Sequence, residues 1–124
     1  MNSATISISS ARAISTDLLD ATVALEGLSR VDRGTQTLLR LEGTFDAISA
    51  PTARPAFDAV VNDKRSPVAI DMSGLRMIDS SGVGAVVSLY KRVRAQGGRI
   101  SVQGLSGQPL AIFRLLRLDR VMVS

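Results

Sequence analysis

The sequence predicts an α/β domain, a mixed, mostly parallel sheet of about five strands with packed helices. Three observations lead there. Short runs that alternate apolar and polar residues are separated by longer runs with apolar residues at helical spacing, the pattern of β-α-β crossovers. Gly, Pro, Asp and Ser cluster between these runs and break them. The 124 residues, 45% hydrophobic and 21% charged, suit one core that buries roughly two thirds of the unfolded chain's surface.

Residues 1–21 are rich in Ser, Thr and Ala without sustained periodicity and read as a flexible N-terminal tail, although Ser15-Thr16-Asp17 before Leu18-Leu19 offers a cap for one helical turn. The domain itself is expected over residues 22–124. Val23 and Leu25 begin an alternating run, Arg30 to Gly34 supply a polar turn, and Thr35, Thr37, Leu39 and Leu41 alternate as the second arm of a hairpin. Ser49 and Pro51 then mark a helix start before Ala53, Ala56, Phe57, Val60 and Val61. Asp63 to Pro67 breaks that helix, and Val68, Ile70 and Met72 form a third strand. Ser73 to Asp79 reads as a connection, and Ser80 to Gln96 as a helix with Val83, Val86, Val87, Tyr90 and Val93 on its apolar side. Gly97-Gly98 ends it. Ile100 and Val102 mark a fourth strand, Gln108 to Arg117 a helix with Leu110, Phe113 and Leu116 on one side, and Val121 to Val123 a last strand.

Composition excludes much. Without Cys or His there is no disulfide framework, no thiolate zinc site and no imidazole base. The apolar stretch Val83–Tyr90 is far shorter than the roughly 20 residues of a bilayer span. Met1–Ala11 carry no Lys or Arg, so no secretion signal is expected and the location expected is cytoplasmic.

The sequence pI of 10.6 raises nucleic acid as a partner. Eight basic and 10 acidic side chains precede residue 80, against 7 and 1 from there on. Lys91, Arg92, Arg94 and Arg99 flank a helix end, while Arg114, Arg117 and Arg120 recur every third residue, as on the solvated face of an amphipathic helix. No recognition motif accompanies them, and the four aromatics Phe45, Phe57, Tyr90 and Phe113 are too sparse for a base-stacking platform. No direct nucleic-acid contact is expected.

The chemistry-bearing stretch is Asp71 to Gly84. Asp79, Ser80 and Ser81 can each cap the following helix, and one cap suffices. With Asp79 in that role both hydroxyls are left over, and Ser80 falls where backbone N–H groups and the helix dipole favour an anion. Gly82 and Gly84 each cost about 1 kcal/mol of helix stability relative to Ala, so their use is close approach by another backbone. Redundant capping and close packing on the sheet explain the same residues without any function. A dinucleotide fingerprint fails because Val87 stands at the third glycine position and Gly82 lies well beyond Met72, the expected strand end. A serine hydrolase lacks its base. A serine presented to a kinase remains.

Leu41–Pro51 (LEGTFDAISAP), Asp71–Leu75 (DMSGL), Ile78–Gly84 (IDSSGVG) and Arg94–Gly98 (RAQGG) together resemble a STAS domain of the anti-sigma factor antagonist group, and the resemblance runs from about Ala21 to the C-terminus. It departs from the pattern at Val121–Ser124, where many members carry a last helix. The resemblance implies a STAS-type fold and a bacterial, non-enzymatic partner switch without a cofactor of its own. Such proteins bind a serine kinase, similar to histidine-kinase-like ATPases, that doubles as an anti-sigma factor. They displace the sigma factor, are released on phosphorylation, and are reset by a phosphatase. The acceptor maps onto Ser80, with Ser81 as fallback. Asp46, Ile78, Asp79, Ser81, Gly82 and Gly84 are the expected partner-binding residues. For Asp46 a plain turn-capping role stands beside that one, and burial beneath the loop is the alternative for Met77 and Ile78. STAS domains also serve as subunits of lipid ABC transporters, as stressosome scaffolds and as regulatory tails of anion transporters. Nucleotide binding at the helix start is a further alternative.

Overall fold

The computed structural model describes residues 12–13, 22–25 and 27–123. Along them run β1 (Arg12–Ala13), β2 (Thr22–Leu25), β3 (Leu28–Arg33), β4 (Gln36–Phe45), α1 (Ala50–Asn62), β5 (Val68–Ile78), α2 (Ser80–Ala95), β6 (Ile100–Gln103), α3 (Gly107–Leu115) and α4 (Asp119–Met122). The six strands form one sheet in sequence order. Strands β1 to β4 make an antiparallel meander, and β5 and β6 join in parallel through the crossovers α1 and α2. The mixed α/β class is as expected, with one strand more. Of the stretch read as a tail, Arg12–Ala13 pairs with Val23 and Ala24. The Ser15–Asp17 cap lies outside the described residues.

One face of the sheet carries the core. Leu39, Leu41, Val68, Ile70, Met72, Ile100 and Val102 meet Ala53, Phe57 and Val60 of α1, Val83, Val86, Leu89 and Val93 of α2, and Phe113 of α3. The apolar stripe expected on the first helix is therefore its buried face. On α2, Leu89 takes a fully buried place, while Val87 and Tyr90 are half-buried.

Four sequence expectations are corrected. Arg30 to Gly34 is not a turn, because β3 runs to Arg33 and the hairpin turns at Gly34-Thr35, where Gly34 has φ 58°. Arg30 and Asp32 are charged yet sit in the ladder because they pair with each other, at 2.9 Å from Nε to Oδ1. Ser73–Asp79 is not a plain connection either, since β5 continues to Ile78. Its inward residues there are Met72, Leu75 and Ile78, three apart rather than two, because the β4–β5 register slips between Arg40 and Glu42 and again between Gly43 and Thr44. Those slips hid the strand from an alternation rule. The third helix stops at Leu115, and Arg117 takes φ 61° beyond it. Leu116 is consequently half exposed, and Arg114, Arg117 and Arg120 straddle a helix end rather than sharing one helical face. Finally, Val121–Val123 is not a strand. Asp119–Met122 forms the short α4, Met122 enters the core, and only a single parallel bridge joins Val123 to Val102.

Candidate functional site

At the carboxyl ends of β4 and β5, Phe45 and Ile78 lie side by side, so the loops that follow them share one edge of the sheet. Asp79 ties them together. Its Oδ1 accepts the Gly82 N–H at 3.0 Å, which caps α2, and its Oδ2 accepts the Ala47 N–H of the other loop at 3.1 Å. Ser80 and Ser81 open the helix in exposed positions. Among the described residues no hydrogen bond engages either hydroxyl. Both oxygens thus stand at the positive end of a 16-residue helix with no structural task, where a negative group is favoured.

The two glycines differ. A Cβ on Gly82 would collide with the Phe45 carbonyl oxygen and stand 2.8 Å from Cγ1 of Ile78, so this position is closed to any side chain. Gly84 has open space around it. The close-packing explanation holds for the first glycine and fails for the second. Gly84 instead lines a groove of about 370 Å³ between α1 and α2, with Ala47, Arg54, Ser81, Ser88 and the ion pair of Asp58 with Arg92, 2.7 Å apart.

Asp46 closes its own loop. Its Oδ1 accepts the N–H groups of Ile48 and Ser49 at 3.0 Å each, and its N–H donates to Ser49 Oγ at 2.9 Å. The backbone N–H of Ser49, then that of Ile48, hold its carboxyl below the usual aspartate range. The turn-capping role of Asp46 is therefore visible in the geometry. Of the other expected partner residues, Ile78 is only 1% exposed and Gly82 is buried. Neither can touch a partner directly, because Ile78 packs into the core and Gly82 against β4. Asp79, Ser81 and Gly84 remain at or near the surface.

Met77 is 49% exposed, on the rim rather than beneath the loop. Two residues carry no sequence expectation as part of the site. Ile48 is 85% exposed beside the Asp79 contact. An isoleucine flanked by Asp46 and Ser49, the residues that close the turn, is a signal that it points outward. The second is Gln108. Strand β6 pairs β5 only as far as Asp71, so Ile78 has no strand on that side, and the Gln108 side chain substitutes for one. It accepts the Ile78 N–H and donates to the Ile78 carbonyl, both at 2.9 Å. Nothing local to Gln108 in sequence announces this. The strand also ends directly before Asp79, which removes the spacing objection to a dinucleotide fingerprint; Val87 at the third glycine position still speaks against it.

A STAS domain model, described as Mlab, STAS domain, matches residues 28–124. The chain belongs to the STAS domain family. Within it, the chain is similar to the anti-sigma-B factor antagonist of Bacillus subtilis (strain 168), at 25% identity over 84 residues, which is 68% of this chain and 76% of that protein. Its fold matches an anti-sigma factor antagonist from Mycobacterium paratuberculosis with a TM-score of 0.70 at 21% identity, over 77% of this chain and 80% of the other. It also matches the Bacillus cell fate determinant SpoIIAA in its phosphorylated form, with a TM-score of 0.65 at 20% identity, over 77% and 88% of the two chains. Among the described residues no helix is long and apolar enough to cross a membrane.

Proposed function

We propose that the chain is an anti-sigma factor antagonist that acts by partner switching, with Ser80 as its phosphoacceptor and Ser81 as the fallback. The observation that carries this reading is the division of labour at the start of α2. Asp79 makes the cap, and two exposed hydroxyls are left unused beside it. The partner is a serine kinase of the histidine-kinase-like ATPase fold, which supplies ATP and Mg²⁺, and a phosphatase reverses the modification. Asp46, through its loop, and Asp79, Ser81 and Gly84 shape the docking surface, with Ile48 and Met77 as its apolar contacts. Ile78 and Gly82 support that surface from below.

Phosphorylation adds about −1.5 to −2 charges beside the Asp79 carboxylate. Within the domain the helix N-terminus offsets about 0.3 to 1 kcal/mol of this, so the fold tolerates the phosphate. At the interface, a partner carboxylate placed about 6 Å away would meet each added charge with about 3 kcal/mol of repulsion at an effective dielectric near 20. Since about 1.4 kcal/mol is tenfold in affinity, one phosphate facing such a carboxylate would suffice to release the partner.

The test pairs Ser80→Ala with Ser80→Glu against the partner kinase. Ser80→Ala keeps kinase binding and abolishes transfer from labelled ATP, while Ser80→Glu weakens binding. Continued labelling of Ser80→Ala moves the site to Ser81 or overturns the assignment. Stable co-purification with an ABC ATPase, indifferent to both substitutions, would replace this reading with that of a transporter subunit.

A further inference from the structure

We propose that the segment from Arg114 to Val123 adsorbs to an anionic lipid surface, with Leu115 and Leu116 at headgroup depth and arginines on the surrounding phosphates. The inference stands apart from the switch at Ser80. Leu115 is 80% exposed, Leu116 50% and Val121 62%, a concentration of solvated apolar side chains in one short stretch. They cannot fold inward. Phe113 and Met122 are 0% and 2% exposed and already anchor the segment in the core from both ends. Leu118 N–H donates to the Phe113 carbonyl at 2.8 Å and Met122 N–H to that of Leu118 at 2.9 Å, which fixes the chain between the anchors.

Charge selects the occupant. Arg114, Arg117 and Arg120 are exposed within the segment, and its sole acid is Asp119. Helix α2 adds another cation, because the Tyr90 hydroxyl donates to the Val121 carbonyl at 3.0 Å and the Arg94 guanidinium lies 5.8 Å from the centre of the Tyr90 ring. A second copy meeting this patch about a two-fold axis would set arginine against arginine. An anionic leaflet attracts them instead, each basic residue near its surface being worth about a fivefold gain in affinity. Leu115 protrudes from the end of α3, a shape that a deformable interface accepts without a matching cavity, which favours lipid over an acidic protein helix.

The test is cosedimentation of the full chain with vesicles of equal parts phosphatidylcholine and phosphatidylglycerol, and with phosphatidylcholine alone. Sedimentation with the first, absence from the second and release by salt are expected. Leu115→Ser with Leu116→Ser should lower partitioning at least about tenfold, and Arg114→Gln with Arg117→Gln and Arg120→Gln about 100-fold. Both substituted sets lie on the surface, and unchanged circular dichroism confirms their fold. Failure to bind the anionic vesicles, or binding indifferent to both sets, overturns the proposal. So does concentration-dependent dimerisation that the leucine substitutions abolish, or saturable binding of an acidic amphipathic peptide in place of vesicles.

Discussion

The two ends of strands β4 and β5 both carry polar clusters, and they use them in opposite ways. At the amino ends, Arg30 is 2% exposed and holds Asp32 with two hydrogen bonds and Asp63 with a third, at 3.1 Å. Thr37 donates to Asp32 at 2.8 Å, and Arg65 donates to Thr37 at 2.7 Å and to the carbonyls of Gly34 and Gln36. That network joins the meander to the loop after α1 and engages Nε and Nη2 of Arg30, while Nη1 is buried without a hydrogen-bond partner among the described residues. At the carboxyl ends, Asp79 caps the helix and binds the neighbouring loop that Asp46 closes, and two hydroxyls stand outside these bonds. A polar cluster whose buried carboxylates and hydroxyl are spent on one another holds elements together, whereas one that leaves exposed hydroxyls over is available for chemistry.

Breaking the network at the amino ends should have the largest effect on stability. Asp32→Ala leaves the buried Arg30 with Asp63 as its remaining carboxylate in that network, and a loss of about 3 kcal/mol in urea unfolding is expected. A loss below about 1 kcal/mol would show that the network contributes little and dissolve the contrast. At the other end, Gly82→Ala forces a methyl group onto the Phe45 carbonyl and should cost about 2 kcal/mol. Gly84→Ala, with open space around it, should instead gain up to about 1 kcal/mol of helix stability in the same assay. Equal effects at the two glycines would mean that the contact with β4 is not what excludes a side chain. Removing the cap with Asp79→Ala should cost about 1 kcal/mol in thermal unfolding.

Acid should act through both ends, with the smallest effect per group. Burial raises the Asp32 carboxyl, but hydrogen bonds from Arg30 and Thr37 outweigh it and leave it lowered. Asp46 is lowered by the Ser49 and Ile48 N–H groups, and Asp71 chiefly by the Ser73 N–H, with Arg40 adding to it. In each case the unfolded chain binds the proton more readily, so the stabilisation is full above the ordinary aspartate value of about 3.9 and is lost as pH falls below it. Urea midpoints measured from neutral pH downward should hold level and then decline. The decline should be shallower in Asp71→Asn.

The stripe Ala53, Ala56, Phe57, Val60, Val61 and the run Val68, Ile70, Met72 were legible because one element's own period sets which residues face inward. The capping of α2 by Asp79 was legible for the same reason, since the Gly82 N–H it binds is three residues away. Sequence alone therefore determined the order of α1 to α3 and β4 to β6 and the placement of Ser80 and Ser81 at a helix start. Tertiary structure decided the rest. The extension of β5 to Ile78 depends on slips in pairing with β4, the exclusion of side chains at Gly82 on the Phe45 carbonyl, and the end of the sheet on Gln108, 30 residues from its partner. Each of these is a contact between segments distant in the chain, so it leaves no periodicity in either one, and only the packed sheet reveals that Gly84 is open where Gly82 is closed.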